Sequence, residues 1–297
     1  MNLNESIDSR LGFSFYALDL EQVSQKLISN FNKAEAIIFS INDLLGNKIE
    51  KIRANIDILG KIIGHKNISF HFPMNDCDYV NDTNVFNYLK LCIEMCDDLG
   101  LKTLTIHPNI KYLLNEWHGK NIDYLKNKLF DRLYLATEFS KGLTLCLENM
   151  PPIGNRCDDA DALILFDSDV KNMSTDKLKF TWDICHYFNV VETMEKSKID
   201  DDFRKVLPRY KECFHMDYLN IIDEIHHWHF SAFDVIANPL TNQFCNEGII
   251  PNNDHYIESF NSILNKSKGN IILEIREDDY VNRTNIYLMK KWCSKIT

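Results

Sequence analysis

The feature of this 297-residue sequence that most restricts its fold is the alternation of short apolar segments with longer segments of helical periodicity. Such alternation is typical of repeated βα units around a parallel sheet. We predict eight strands, at residues 11–16, 36–40, 68–72, 103–107, 143–148, 180–183, 213–215 and 271–274. No long linker or short-period repeat divides the sequence. The sequence therefore predicts a single domain, residues 1–297, with the α/β fold of a (β/α)8 TIM barrel.

The charge balance restricts the partners of the chain. The sequence has 43 acidic and 33 basic residues, a formal net charge of −10. Binding to nucleic acids depends mainly on Lys and Arg side chains that neutralise phosphates. The composition therefore argues against a nucleic-acid partner, although a local basic surface would still permit one.

Several features indicate where the protein resides. The first ten residues, MNLNESIDSR, contain no apolar run, and no later segment approaches the length of a membrane span. The nine cysteines include no CxxC pair and lie mostly in apolar segments, as reduced core cysteines do. We expect a soluble cytoplasmic protein with no membrane segment. The sequence does not indicate an oligomeric state.

Six consecutive predicted strands end in a side chain that can bind a metal ion. These residues are His71, His107, Glu148, Asp183, His215 and Glu274. The first four intervals between them are 36, 41, 35 and 32 residues, about one βα unit each. Because the carboxyl ends of all strands of such a barrel meet at one mouth, the six side chains are expected to share one site.

Asp183 gives the clearest reason to expect a cation there. It interrupts the apolar segment FTWDICHYF, residues 180–188, where an unpaired carboxylate would be costly to bury. With Glu148, His215 and Glu274 it forms a set of three carboxylates and one imidazole. Such a set suits a divalent Zn, Mn, Mg or Co ion.

The strand-end motifs also resemble those of a known family. The order HFP, IHPN, LEN, DICH, FHMD and a final LE is similar to that of the xylose isomerase-like TIM barrel superfamily, which includes endonuclease IV and many sugar isomerases and epimerases. The resemblance extends over nearly the whole chain. It implies a barrel with a metal centre at its mouth, and it leaves two chemistries open.

The resemblance to sugar isomerases and epimerases implies one divalent ion held by Glu148, Asp183, His215 and Glu274. A proton next to a carbonyl leaves readily only when a metal stabilises the developing charge and a carboxylate accepts the proton. Glu148 and Glu274 would transfer the proton as a catalytic pair. His186 would then contact a substrate hydroxyl, or serve only to orient neighbouring groups.

The resemblance to endonuclease IV implies more than one zinc ion. That enzyme adds metal ligands at positions matching His71, His107 and His186, and an Asp-x-His pair after its seventh strand. No Asp-x-His follows His215 here, and His227 or His229 are the nearest substitutes in the sequence. The motifs after His107 and Glu148 also depart from the endonuclease pattern. The sequence therefore leaves open whether the protein binds a third zinc ion.

The segment after His215 bears on the substrate. The 59 residues from His215 to Glu274 predict an enlarged loop after strand 7, and residues 212–265 include no Lys or Arg. Such a loop would repel a phosphate backbone and suits a neutral polyol, with Trp228 stacking on a sugar face or simply packing in the loop. Arg276 would hold an anionic group of a substrate or lie on the surface.

The sequence thus favours a divalent-metal-dependent isomerase or epimerase that acts on a small sugar or polyol. One alternative is an endonuclease IV-like zinc phosphodiesterase that cleaves DNA at abasic sites. The other is a barrel that binds metal without catalysis. Which sugar, which metal and how many ions each chain binds are not indicated by the sequence.

Overall fold

A computed structural model describes residues 7–75, 77–154 and 156–296 of the chain. Eight parallel strands form a closed barrel in which each strand pairs with the next and the last pairs with the first. The strands are β1 (Leu11–Tyr16), β2 (Lys33–Ile37), β3 (Ile68–His71), β4 (Thr103–Ile106), β5 (Thr144–Glu148), β6 (Leu178–Asp183), β7 (Ile225–Phe230) and β8 (Asn270–Leu273). The predicted TIM barrel is confirmed.

Helices occupy the connections between the strands. They are α1 (Gln25–Asn30), α2 (Lys48–Ile63), α3 (Thr83–Leu99), α4 (Leu114–Trp117), α5 (Ile122–Thr137), α6 (Asp167–Val170), α7 (Ile184–Ile199), α8 (Asp201–Val206), α9 (Asp254–Lys266) and α10 (Asn285–Lys295). Four 3-10 helices lie at Leu20–Gln22, Ile41–Leu44, His65–Asn67 and Asp217–Glu224. Within the described ranges, no helix has the length and apolar character needed to cross a membrane.

Helix α3 illustrates how the sequence sets the helix ends. Asp82 accepts hydrogen bonds from the backbone N–H groups of Asn84 and Val85, which have no partner within the helix. Gly100 ends the helix with a left-handed conformation, φ 76°, that residues with a side chain rarely adopt. The buried face between these ends packs on the barrel, so the helix is fixed at both ends and along its length.

Two short antiparallel ribbons lie in the loops that follow strands. Tyr112–Leu113 pairs with Asp159–Ala160, and Ala232–Phe233 pairs with Glu247–Ile249. In the second ribbon Gly248 has φ +82°, and a Cβ atom at this position would lie 2.9 Å from the backbone nitrogen of Arg276. Glycine therefore allows the ribbon to pack directly against the end of β8. This packing holds Glu247 at the barrel mouth.

The predicted seventh strand is wrong. Residues 213–215 form no strand, and β7 lies ten residues further on, with the sequence IHHWHF. The inward positions of this strand are His227 and His229, whereas Trp228 and Phe230 point to the helix layer. Half of the six residues of β7 are histidines, so this strand lacks the apolar signal that identified the other strands.

The correction also removes the enlarged loop predicted after strand 7. With β7 at Ile225–Phe230, the connection after β6 spans residues 184–224 and the connection after β7 spans residues 231–269. The two are similar in length. The additional residues are therefore divided between the connections before and after β7 and do not form a single enlarged loop.

A buried ion pair fixes the connection between β5 and β6. Asp169 in α6 is buried, and its two oxygens lie 2.6 and 2.8 Å from the guanidinium of Arg209. Lys126 is 3.2 Å away. Oδ2 also accepts the backbone N–H groups of Leu165 and Phe166 at 3.0 Å each. Burial opposes ionisation, but these donors outweigh it and hold the pKa of Asp169 below its usual value.

We expect Asp169→Asn to lower the free energy of unfolding by about 3 kcal/mol, because it leaves the largely buried Arg209 without its carboxylate. Urea denaturation at pH 7 would measure the change. Asp158→Asn, at an exposed pair with Arg156 separated by 3.8 Å, is the matched control and should change stability by less than about 1 kcal/mol.

The pH dependence provides a second test of the same pair. A carboxyl group with a lowered folded-state pKa stabilises the protein above its unfolded pKa, near 4, and loses this contribution as the pH falls further. The stability difference between the wild type and Asp169→Asn should therefore be constant above about pH 5 and shrink below about pH 4. A difference that stayed constant at pH 3 would contradict this assignment.

Candidate metal centre

Glu148 lies at the centre of the barrel mouth. It ends β5, is almost fully buried, and is surrounded by histidines from other strands. Its Oε2 atom lies 3.1 Å from Nε2 of His71 and 3.2 Å from Nε2 of His107. Its Oε1 atom lies 3.0 Å from Nδ1 of His229 and 3.6 Å from Nδ1 of His186. One carboxylate thus joins residues from four other parts of the chain.

Asp183 is held at the end of β6 by both backbone and side-chain contacts. Its Oδ1 atom caps α7 by accepting the backbone N–H of His186 at 3.0 Å, and Oδ2 lies 3.6 Å from Nδ1 of the same histidine. The amide of Asn149 accepts the N–H of Asp183 at 2.7 Å and donates to its carbonyl at 3.0 Å. The position of this carboxylate is therefore set by the ends of two strands and a helix.

Glu274 and His229 complete the site on the side of β7 and β8. Glu274 follows β8, and its Oε1 atom lies 3.4 Å from Nδ1 of His229. The ligand atoms of Asp183, His229 and Glu274 all lie within 4.8 Å of one another. We refer to the seven side chains together as the mouth cluster: His71, His107, Glu148, Asp183, His186, His229 and Glu274.

The surroundings shift the pKa values of the two glutamates in opposite directions. Burial opposes ionisation of Glu148, but the adjacent His229 and His107 outweigh it and hold its pKa well below the usual range. For Glu274, burial and the negative charges of Asp183 and Glu148 outweigh His229 and raise the pKa to about 7. Two carboxyl groups with separated pKa values are typical of sites that transfer protons.

The donor atoms of the mouth cluster fit a divalent cation. Nδ1 of His71 is 2.7 Å from the carbonyl oxygen of Phe72 and must donate to it, so Nε2, 3.1 Å from Glu148, presents a lone pair to that carboxylate whenever the ring is neutral. A lone pair facing a carboxylate is unfavourable unless a proton or a cation lies between them. Among the described residues, only histidines form ion pairs with Glu148, Asp183 and Glu274. A metal ion would supply the missing positive charge.

A cavity of about 290 Å³ lies above the mouth cluster. Its other walls include Phe39, Met150 and Glu247, the last of which lies 3.9 Å from Nε2 of His186. Lys111 is the one Lys or Arg among the described residues that line this cavity, which also includes Asp159 and Asp161. The space suits a small molecule whose polar groups face both the cluster and an acidic wall.

The structure brings together most of the residues that the sequence singled out. His71, His107, Glu148, Asp183, His186 and Glu274 all lie in the mouth cluster. The histidine of β7 in the cluster is His229, which the sequence offered only as a possible further ligand. The sequence feature that could have identified His229 was its position between Trp228 and Phe230, one residue before the end of β7.

His215 does not lie in the mouth cluster, so its predicted role as a ligand is wrong for this geometry. It lies in the loop before the 3-10 helix Asp217–Glu224, where its ring stacks on His255 at 4.1 Å and contacts Phe188 edge-on at 4.7 Å. The short apolar segment CFH resembled a strand because Cys213 is buried against the core. His229 takes the place in the mouth cluster that the sequence assigned to His215.

Three other predicted residues have different surroundings from those expected. Trp228 is fully buried in the helix layer, where Nε1 donates to Ser267 at 2.9 Å, so it cannot stack on a sugar. His227 faces the barrel interior below the cluster and pairs with Glu35. Arg276 is exposed at the rim and donates to the side chain of Asn246.

Sequence reasoning missed three residues that shape the site. Glu35 lies in β2, just outside the strand predicted at residues 36–40, and is fully buried beside His229. Asn149, within the LEN motif, holds Asp183. Glu247 lies in the segment 212–265, for which the sequence indicated only the lack of Lys and Arg. The sequence feature that could have identified Glu35 was a carboxylate between the apolar residues of the segment KAEAI. Asp183 interrupts its own apolar segment in the same way.

Comparison with known proteins agrees with this architecture. The model of the xylose isomerase-like TIM barrel family matches residues 10–292, and the chain belongs to that family. No curated protein sequence matches the chain. Family membership confirms the resemblance carried by the strand-end motifs.

Solved structures with the same fold cover nearly the whole chain at low sequence identity. A D-tagatose 3-epimerase-like protein has a TM-score of 0.60 and 18% identity, covering 97% of this chain and 98% of its own. The TTHB071 protein from Thermus thermophilus, soaked with ZnCl2, has a TM-score of 0.62 and 14% identity with the same coverage. IOLI protein with a bound zinc atom has a TM-score of 0.58 and 15% identity, covering 97% of both chains. At these identities the likeness establishes the fold alone.

Proposed function

We propose that this protein is a divalent-metal-dependent isomerase or epimerase of a small sugar or polyol. The observation that carries the proposal is the convergence of Glu148, Asp183, His229 and Glu274, three carboxylates and one imidazole from four strand ends, at the barrel mouth. Glu148 and Glu274 also line the cavity above it. This donor set suits Mn, Mg, Co or Zn. A bound ion would polarise a substrate carbonyl and stabilise negative charge on the neighbouring oxygen.

Glu148 and Glu274 are the proposed proton-transfer residues. Both lie against Nδ1 of His229, at 3.0 and 3.4 Å, but their surroundings differ. In the metal-free cluster the pKa of Glu274 is raised to about 7, so its carboxyl group takes up a proton more readily than that of Glu148, whose pKa is lowered. We propose that Glu274 takes the proton next to the carbonyl on one face. In an epimerisation, Glu148 would carry a proton at that stage and deliver it to the same carbon on the opposite face, so that one carboxyl group gains the proton that the other loses.

His186 is the proposed contact for a substrate hydroxyl. Its Nδ1–H donates to the carbonyl of Asn149 at 2.9 Å, which leaves Nε2 directed toward Glu247, 3.9 Å away. A hydroxyl group between these two side chains could donate to one and accept from the other. The acidic walls of the cavity favour a neutral polyol over an anionic substrate. The names of the similar structures, a tagatose epimerase-like protein among them, agree with a sugar.

A second candidate function rests on the ligands that a single-metal isomerase does not need. His71 and His107 converge on Glu148 within 4.8 Å, a group that can hold another ion. Two adjacent zinc ions would suit hydrolysis of a phosphodiester, as in the endonuclease IV-like hypothesis. The described cavity lining offers a phosphate only Lys111 as a positively charged Lys or Arg. We therefore place this function second.

Metal content and proton exchange together test the proposal. We expect protein purified without chelator to contain about one divalent ion per chain, as a single site requires. With that metal, ketoses should exchange the proton next to the carbonyl for solvent deuterium, as measured by NMR, and EDTA should stop the exchange.

Other results would exclude the isomerase. Two or three zinc ions per chain, together with salt-sensitive incision of abasic duplex DNA, would establish the phosphodiesterase instead. Bound metal with neither reaction, across a panel of ketoses and abasic DNA, would favour the barrel that binds metal without catalysis.

A further inference from the structure

Glu35 is a carboxylate buried inside the barrel, below the mouth cluster. It lies in the middle of β2 and is fully buried, with no Lys or Arg among its ion-pair partners in the described residues. Barrel interiors of this kind are usually filled by apolar branched side chains. A carboxylate in this position needs a specific set of partners to offset the loss of hydration.

One oxygen of Glu35 is fixed from within the barrel. Oε2 accepts from Nε2 of His227 at 3.0 Å and from the hydroxyl of Thr105 at 3.3 Å. Thr105 in turn lies 3.1 Å from the hydroxyl of Thr181. These contacts connect β2, β4, β6 and β7 across the barrel axis. They hold the carboxylate in one orientation and leave its other oxygen available.

The other oxygen of Glu35 faces the histidine of the mouth cluster. Oε1 lies 2.8 Å from Nε2 of His229 as an ion-pair contact, and neither atom has a hydrogen-bond partner among the described residues. The opposite nitrogen of the same ring, Nδ1, lies 3.0 Å from Glu148 and 3.4 Å from Glu274. The two nitrogens of one imidazole thus face two different sets of carboxylates.

We propose that Glu35 is a positioning residue that holds His229 with Nε2–H toward the barrel interior and Nδ1 toward the metal. A carboxylate behind a ligating histidine selects the tautomer, fixes the ring plane and strengthens the nitrogen as a donor to the metal. This inference rests on the proposed metal centre, with His229 as a ligand. It assigns Glu35 no contact with substrate.

His227, which also contacts Glu35, allows a direct comparison with His229. His227 contacts the same carboxylate as His229 and is equally buried, but its ring does not reach Glu148 or Glu274 within ion-pair distance. If Glu35 served only to fill and brace the barrel, its two histidine contacts would have equal importance for metal binding. If it positions His229, loss of the contact through Oε1 should affect the metal far more than loss of His227, because Thr105 still holds Oε2 in the absence of His227.

Calorimetric titration of the metal-free full chain with Co²⁺ alone tests the inference. We expect Glu35→Gln to weaken the Kd for Co²⁺ by about 10- to 100-fold. The visible absorption of bound Co²⁺ should also change, because His229 would no longer hold one orientation in the ligand set. His227→Gln is the matched control and should leave both the Kd and the spectrum close to the wild type.

The outcomes separate this inference from the proposed function. A wild-type chain that binds no Co²⁺ would overturn the metal centre itself. Wild-type binding with an unchanged Kd in Glu35→Gln, or equal weakening by His227→Gln, would overturn only the role of Glu35. If Glu35→Gln does not fold by circular dichroism, Glu35→Asp, which keeps the charge but retracts the oxygens, decides instead. If Glu35→Asp also fails to fold, Glu35 acts in folding alone and the inference is wrong.

Discussion

Glu274→Gln is expected to reduce the exchange of a ketose α-proton with solvent by about 10²- to 10⁴-fold, the usual contribution of a positioned general base. The amide keeps the size of the side chain and an oxygen that can face the metal, but it cannot accept a proton. The ability of the carboxylate to take up a proton is the property that is lost. NMR at saturating metal and substrate concentrations would measure the rate.

The control for this substitution is Glu258→Gln. Glu258 is an exposed residue of α9, remote from the cavity lining, and the same chemical change there should leave the exchange rate at the wild-type value. Elemental analysis must show that Glu274→Gln still carries metal under the assay conditions. Near wild-type exchange in a metal-loaded Glu274→Gln protein would exclude Glu274 as the base.

His229→Ala is expected to weaken metal binding by more than about 100-fold, because removal of a direct ligand should cost more than removal of a residue behind one. It also leaves the buried Glu35 without one of its two histidine partners. His215→Ala is the natural comparison, since sequence spacing alone assigns the ligand role to that residue. It should leave the affinity unchanged.

Calorimetry with Co²⁺ or Zn²⁺ would compare the two histidine variants directly. Circular dichroism must show that His229→Ala is folded, because the ring is fully buried. If folded His229→Ala retained wild-type affinity while His215→Ala lost it, the placement of β7 would be wrong. The pair therefore tests the fold at its least predictable strand as well as the site.

The sequence predicted strands well wherever the side chains that face the helix layer are apolar. Phe70 in β3 and Leu145 and Leu147 in β5 are apolar residues that mark strands before a polar ending. The change from apolar residues to His71 or Glu148 then identifies the mouth. Five of the seven residues in the mouth cluster follow this pattern, which explains why they were found without a structure.

The sequence failed at β7, where three of the six residues are histidines. In β7 the inward residues are His227 and His229, and their burial is possible only because Glu35 lies opposite them, 192 residues away in the chain for His227. No local pattern shows such a pairing. The apolar segment around Cys213 and the FHMD motif instead predicted a strand that ends at His215, and this prediction was wrong. Long-range electrostatic pairing, and not local propensity, determined this part of the fold.

The side chain of Asn149 acts as an additional peptide group at the end of the sheet. Its amide accepts the N–H and donates to the C=O of Asp183, the same two bonds that a neighbouring strand residue would make. The ladder between β5 and β6 is thereby continued by a side chain after the backbone of β5 has turned away. Asp or Leu at position 149 could not replace both bonds, since Asp lacks the donor and Leu lacks both groups. The asparagine of the LEN motif is thus explained by sheet chemistry, and it keeps two carboxylates from adjacent strands in register where the sheet itself has ended.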